Sequence, residues 1–385
     1  MLPKTTQLVV PEVARSWIVN THIRTIKEKP LVIVTRSLEQ AEQLENNLLQ
    51  VDNAIDIEVL PPWESFPLEK ISPQTHIMGK RNKVFWRLKK KDYPDVVIST
   101  ARSISQVITN QEFDSTIDIH NGHELSYEGL LDQLSSFGYK RTTQVERCGE
   151  FSIRGSIIDI YPSTYEEPIR LEMWGDEVER LTTFSTRDQL SKNPLTAAQI
   201  FPASELCITD DVRLRAQELA EEMPWGATFW EIIAEGGLLD GVENLLPWLN
   251  PKRETILDLL PSSTLVLLFD AKQIQQRIEN LISEEQSISE MLFETLSPET
   301  EHRMQTLHLA FDEVFTREKA RVVEVNSSSA ELTDPDITVL TPERSNTEPL
   351  HVLQDLVKDG YDVILLSENE KSIEILGSKL AQLDF

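Results

Sequence analysis

Residues 148–184 read CGEFSIRGSIIDIYPSTYEEPIRLEMWGDEVERLTTF. This stretch decides the fold of the middle of the chain. Apolar residues recur at every second position in IIDIYP, IRLEMW and VERLTTF, with STYEEP and GDE between them. Alternation of this kind, broken by turn residues, marks half-buried antiparallel strands. In IRLEMW it puts Ile169, Leu171 and Met173 on one face and Arg170, Glu172 and Trp174 on the other. Upstream, residues 125–139 (LSYEGLLDQLSSFGY) have helical spacing, and Gly138 ends the helix. The apolar trio is expected to face that helix, giving a small α+β module. The opposite face then shows an arginine and a tryptophan to solvent. Arg154 precedes Gly155, where an adjacent strand can bulge or allow close approach. Arginine and tryptophan are enriched among interface anchors. A structural alternative stands beside that reading: Arg170 pairs across the sheet with an acid on a neighbouring strand, and Trp174 caps a small core.

Working outward, residues 1–110 read as α/β. LVIVT (Leu31 to Thr35) is a buried-type strand, followed by a helical stripe of Leu38, Leu44, Leu48 and Leu49. A strand within Ile55 to Trp63, a helix from Met78 to Leu88, a strand from Asp95 to Thr100 and a helix at ARSISQVI follow. Strands alternating with helices predict a parallel sheet covered on both faces. Residues 111–200 form the α+β module. Residues 201–330 turn helical again, with Thr209 as N-cap and Asp210 and Asp211 in the first turn, where the helix dipole favours them. TLVLLFD (Thr264 to Asp270) is another buried-type strand before a long helix. A polar stretch between Asn326 and Leu350 precedes a helix, one strand (Asp362 to Leu366) and a helix, expected to open a further α/β domain over residues 345–385. A single strand needs a sheet to join, so the rest of that domain is expected elsewhere.

A length of 385 residues suits two to four domains, and 40% apolar residues with seven tryptophans suit folded ones. Cys148 and Cys207 make no disulfide framework, and no apolar run exceeds strand size; a cytoplasmic chain with no membrane partner is expected. The 37 basic and 64 acidic residues leave a net charge of -27, which opposes nucleic-acid binding by the chain as a whole. A local basic run at Lys80, Arg81, Lys83, Arg87 and Lys89 to Lys91 reads as a solvated helix face.

Catalytic and cofactor signatures are absent from the sequence. Among 13 glycines there is neither Gly-Lys-Ser/Thr after a glycine-rich loop nor G-x-G-x-x-G, so phosphate has no visible seat. The histidines show no metal spacing with cysteine, and the NG between His120 and His123 belongs to a turn. No nucleophile–base pair stands out. The chain is expected to be no enzyme and to carry no catalytic residue, metal or cofactor.

The residues also point to a family. Residues 145–184 (VERCGEFSIRGSIIDIYPSTYEEPIRLEMWGDEVERLTTF) resemble the second domain of bacterial transcription-repair coupling factor (Mfd), a module shared with the excision-repair subunit UvrB. LPPWESFPLEKISPQTHIMGKR and DVVISTARSISQVI upstream, and GLLDGVENLLPWL (Gly237 to Leu249) downstream, are similar to segments of the family's first domain. UvrB has its glycine-rich ATP loop before the strand matching LVIVT. Here ARSWIVNTHIRTIKEKP stands in its place, as in the coupling factor.

The resemblance implies a degenerate nucleotide-hydrolase-like parallel-sheet domain, interrupted by a small α+β domain of the UvrA-binding type. It implies a non-catalytic adaptor region that docks UvrA and recruits nucleotide excision repair to stalled transcription. It assigns the contact to Arg154, Arg170 and Trp174, where the family usually has phenylalanine at the third position. RNA polymerase and DNA would be bound through parts not present in these residues, and ATP and Mg would serve the parent's motor. The alternative is a DNA-binding module of a repair helicase-like protein, carried by the basic run.

Overall fold

A computed structural model describes residues 6–10, 12–23, 29–109, 115–237, 239–250, 252–296, 305–317 and 321–327, with isolated helical positions at 358, 375, 377 and 378. The polar stretch beyond Ser327 and the helix–strand–helix expected over 345–385 lie outside the described residues.

The chain opens with β1 (Thr6–Val9), α1 (Arg15–Ile23) and β2 (Leu31–Thr35). All five β2 residues are buried, as a continuous apolar run in a parallel sheet requires. Ser37 caps α2 (Leu38–Val51), its side chain accepting from the Gln40 amide. Ala41, Leu44 and Leu48 form the buried stripe of α2, whereas Leu49, one step around the helix, is exposed. β3 (Ile57–Leu60), α3 (Thr75–Lys90), β4 (Val96–Thr100) and α4 (Ala101–Ser105) follow, and Thr100 and Ser103 make a reciprocal capping box.

The middle of the chain holds β5 (Ile117–His120), α5 (Tyr127–Ser136), β6 (Lys140–Arg141), β7 (Glu150–Arg154), β8 (Ile157–Ile160), β9 (Ile169–Trp174), β10 (Glu177–Phe184), β11 (Ser191–Pro194) and β12 (Ala197–Ile200). The helices α6 (Asp210–Glu222), α7 (Ala227–Ala234) and α8 (Leu246–Leu249) come next. Thr209 caps α6 by accepting from the Val212 amide. The chain then runs through β13 (Leu265–Phe269), α9 (Ala271–Leu296), α10 (Phe311–Arg317) and β14 (Arg321–Asn326).

The first sheet has the order β1-β14-β13-β2-β4-β3, parallel throughout. β13 and β14 thus return to the sheet begun by β1 and β2, and the middle segment is an insertion between them. Along β2, Leu31 and Ile33 enter one apolar cluster with α2, while Val32 and Val34 enter another with α3, α6 and α9. The second sheet, β11-β10-β9-β8-β7-β6, is antiparallel except for the short β6–β7 pair. Its inner face packs Ile158, Ile169, Leu171, Met173 and Leu181 against Leu130 and Leu134 of α5, as the alternation requires.

A buried polar joint ties the inserted unit to α3. Arg81 and Glu205 have fully buried side chains, with Arg81 Nε 2.5 Å from Glu205 Oε1. Trp63 Nε1 donates to the same oxygen at 2.7 Å, and Arg81 Nη1 donates to the Pro61 carbonyl at 2.9 Å. Asn82 Nδ2 donates to the carbonyls of Pro202 and Ser204. Burial raises the pKa of the Glu205 carboxyl, against the opposing pull of Arg81 and Trp63. The expected solvated basic face of α3 is therefore corrected. Arg81 is in the core, Arg87 binds Asp56, Glu58 and Asp92, and Lys83 binds Glu58. Lys80, Lys89, Lys90 and Lys91 remain exposed.

Candidate functional site

The outer face of the second sheet is set by two tight turns. Arg154 pairs with Ile157 and Trp174 with Glu177, so each hairpin turns through two residues, Gly155-Ser156 and Gly175-Asp176. The first turn residue has positive φ in both, 63° at Gly155 and 62° at Gly175, the type II′ pattern that follows the twist of the strands. No bulge forms at Gly155; the irregularities of this sheet fall in β10, between Val178 and Arg180 against β9 and between Thr182 and Phe184 against β11. β7 and β9 run the same way, so both turns lie at one end of the sheet. Arg154 is level with Ile157 and, two strands over, with Glu172; Trp174 lies on the same face one same-face position beyond Glu172, at the end of β9. The start of α5 braces this end: Asp176 Oδ1 accepts from the Tyr127 amide at 2.9 Å, and the Tyr127 hydroxyl donates to the Gly155 carbonyl at 3.4 Å.

Trp174 is 77% exposed, as the alternation predicted for its face. It does not cap a core. Arg170 differs from the expectation of a freely displayed side chain. It sits opposite Asp159 in the β8–β9 register and holds that carboxylate by a two-pronged contact, Nε to Oδ1 at 2.6 Å and Nη2 to Oδ2 at 3.0 Å. Its Nη1 donates to the Gln189 carbonyl at 2.9 Å, and its guanidinium lies 4.7 Å over the Phe184 ring. The Asp159 contact raises the Arg170 pKa above its ordinary value, against the smaller cost of burial. Only 11% of the Arg170 side chain is exposed, against 45% for Arg154.

Arg154 reaches the same acid diagonally, its Nη2 2.5 Å from Asp159 Oδ2. Asp159 is fully buried and joins the two arginines. The structure therefore brings Arg154 and Arg170 together on one carboxylate, and Trp174 shares their face at the end of β9, beyond Glu172. Asp159 was missed in the sequence, although an aspartate between two isoleucines of a central strand signals a buried acid in need of partners.

The C-terminal strand ends of the first sheet are where open α/β sheets take ligands. A cavity of about 320 Å³ lies there, lined by Glu12, Arg15, Ser16, Thr35, Gln40 and Phe269 among others. Arg15 Nη2 donates to Asp270 Oδ2 at 2.7 Å, and Asp270 Oδ1 accepts from the amide and hydroxyl of Ser327. Burial pushes the Asp270 carboxyl up, but Arg15 and Ser327 outweigh it and hold the group below the usual carboxylate range. Arg15 and Asp270 pair with one another, while the buried Arg15 Nε has no hydrogen-bond partner.

Among the described residues no three His, Cys, Asp or Glu side chains are placed to hold a metal ion, and no helix is long and apolar enough to cross a membrane. Burial pushes the Cys148 thiol up to about 11, so it is not a thiolate nucleophile at neutral pH.

Residues 117–206 match the family model described as the UvrB interaction domain. The matched segment runs from β5 through the β12 end to the Glu205 joint and contains the whole second sheet. The chain is 32% identical over 298 residues to a transcription-repair-coupling factor of Mycobacterium bovis, covering 73% of this chain and 24% of that one. It is 25% identical over 392 residues to the factor of Bacillus subtilis, covering 92% and 32%. With the factor of Haemophilus influenzae it shares 26% identity over 383 residues, covering 91% and 32%. The matched part of the chain spans 24–32% of the length of these relatives.

Proposed function

For a chain homologous to part of the bacterial transcription-repair-coupling factors, with a UvrB interaction domain at residues 117–206, we propose a non-catalytic adaptor role: it docks UvrA and so brings excision repair to stalled transcription. The docking surface is the outer face of the second sheet around Arg154, Arg170 and Trp174, of which Arg154 and Trp174 are the members open to solvent. One observation carries this reading. Trp174 is the most exposed of the chain's large hydrophobic residues in the described structure, and it lies at the same sheet end as the half-exposed Arg154. A large aromatic left in water beside a guanidinium has the composition of an interface anchor. It adds nothing to the core of its own unit, which is complete on the other face. Electrostatics agree. Arg154 and Arg170 share one carboxylate, and on the same face Glu172 pairs with Arg180, so the open donors here are those of Arg154. Those donors suit a carboxylate on the partner.

The test is calorimetric titration of UvrA into the wild-type chain, Arg154→Ala and Trp174→Ala, with a thermal melt of each variant. Each substitution is expected to weaken binding by roughly 1–4 kcal/mol, the range for interface anchors. The melting temperature of Trp174→Ala should stay unchanged, because the indole is exposed. Wild-type affinity in both variants would remove the docking reading.

A further inference from the structure

Resting on that docking reading, we infer that Asp159 is a positioning residue for the interface: it fixes the guanidinium of Arg154 for the partner, and Arg170 serves as its anchor without itself touching the partner. The two arginines look equivalent in sequence but are engaged differently. Arg170 has Nε and Nη2 on Asp159 and Nη1 on the Gln189 carbonyl. Its flat face is covered by Phe184. Little of its donor fork is left for a carboxylate from outside. Arg154 has one nitrogen on Asp159, and nearly half of its side chain is open to solvent. Its remaining donors are the ones a partner can meet.

Asp159 lies between the two. Its partner on β9 is Arg170, directly opposite, and its partner on β7 is Arg154, two residues along from Ser152, which faces it. A long exposed arginine otherwise samples many rotamers and loses that freedom on binding. A buried carboxylate that holds one Nη2 removes part of this loss before the partner arrives. The carboxylate is in turn held by the two-pronged Arg170 contact, which lysine cannot copy. The order of dependence is Arg170 to Asp159 to Arg154 to partner.

The experiment is a set of double-mutant cycles, read as UvrA affinity by titration, each protein paired with a thermal melt. Asp159→Asn removes the charge but keeps the shape. It is expected to weaken binding about tenfold, a typical anchor loss. In the Arg154→Ala background the same change should cost less than about twofold, because residues acting through one another are not additive. Arg170→Lys, which keeps a cation opposite Asp159, should behave likewise: weaker binding in the wild-type background and little further loss without Arg154. This second variant decides the matter if Asp159→Asn fails to fold. A merely structural role would lower the melt and reduce binding equally in both backgrounds. Losses of Asp159→Asn or Arg170→Lys that persist at full size in the Arg154→Ala background overturn the inference and make Arg170 a direct contact. Unchanged affinity in both also overturns it. Failure of the docking reading looks different: there the wild type itself does not bind, or Arg154→Ala and Trp174→Ala bind as tightly as the wild type.

Discussion

At the scale of single residues, the chain places its charges by partner and hardly by sequence neighbourhood. Arg81 stands in a run of basic residues and looks solvated, yet its side chain is fully buried because Glu205, 124 positions later, comes to meet it. Nothing local to residue 81 announces that acid, so this part of the fold was not legible in the sequence. Arg170 was half legible. The alternation gave its face correctly, and the structural alternative of a cross-strand acid gave its partner, but neither gave the cover by Phe184 and Gln189. Trp174 was fully legible, since its exposure follows from strand parity alone. The Arg81–Glu205 pair also makes a stability prediction. Glu205→Ala leaves a buried guanidinium without its counter-charge and is expected to cost roughly 3–5 kcal/mol. Arg81→Met combined with Glu205→Gln removes both charges, while the new amide oxygen can still accept from Trp63; it should recover most of that loss. Urea unfolding of the three proteins checks this. A double variant no more stable than Glu205→Ala alone would contradict it.

At the scale of elements, the strands were easier to read than the helix faces. β2, β4 and β13 are buried apolar runs, and β9 alternates cleanly, so hydropathy alone defines them. A short edge strand such as β1 carries too few residues to show a period, and its pairing with β14 depends on residues more than 300 positions away. α9 illustrates what hydropathy omits. Its Glu285, fully buried, lies 2.6 Å from His308 Nδ1 on the segment leading to α10. Burial lowers the His308 pKa below its ordinary value; Glu285 opposes this, while Arg102 and Arg81 add to the lowering. The sign follows from proton uptake. With a depressed folded-state pKa, the unfolded chain binds the extra proton first, so stability is full above the unfolded value and falls as pH drops below it. Between pH 7.5 and 6 this one group, taking about 6.5 for the unfolded histidine, should cost up to about 0.8 kcal/mol. His308→Asn cannot titrate there. The difference in urea midpoint between the two pH values should therefore be smaller in the variant than in the wild type. Equal differences would show that the docking of α9 is not linked to this proton.

At the scale of the whole molecule, charge decides between a protein partner and a nucleic-acid partner. The net charge of -27 surrounds the chain with a field that repels phosphate. The basic run on α3 looks like an exception in sequence, but its strongest members are consumed internally: Arg81 by Glu205, Arg87 by Asp56 and Glu58, and Lys83 by Glu58. What faces solvent is Lys80 and the three lysines from Lys89 to Lys91. Four lysines neutralise at most about four phosphates, which sets a log–log salt slope of magnitude no greater than about 4. Duplex binding by this chain is therefore expected to be weak at low ionic strength and absent near physiological salt, about 0.15 M. Fluorescence anisotropy of a labelled duplex across a salt series measures both quantities. A tight complex at physiological salt would mean that the chain carries a nucleic-acid surface outside the α3 run. A slope steeper than about 4 would mean that basic residues beyond these four reach phosphate, either elsewhere on the chain or by Arg81, Lys83 or Arg87 leaving its acid. Arg81 can do so only by opening the Glu205 joint, whereas Lys83 and Arg87 can leave their acids without disturbing it. The -27 field repels an acidic protein surface in the same way, so such a partner can be held only where local donors are left open to it. On the docking reading proposed above, the open donors of Arg154 are that place, and the loss of affinity in Arg154→Ala should grow as salt is lowered.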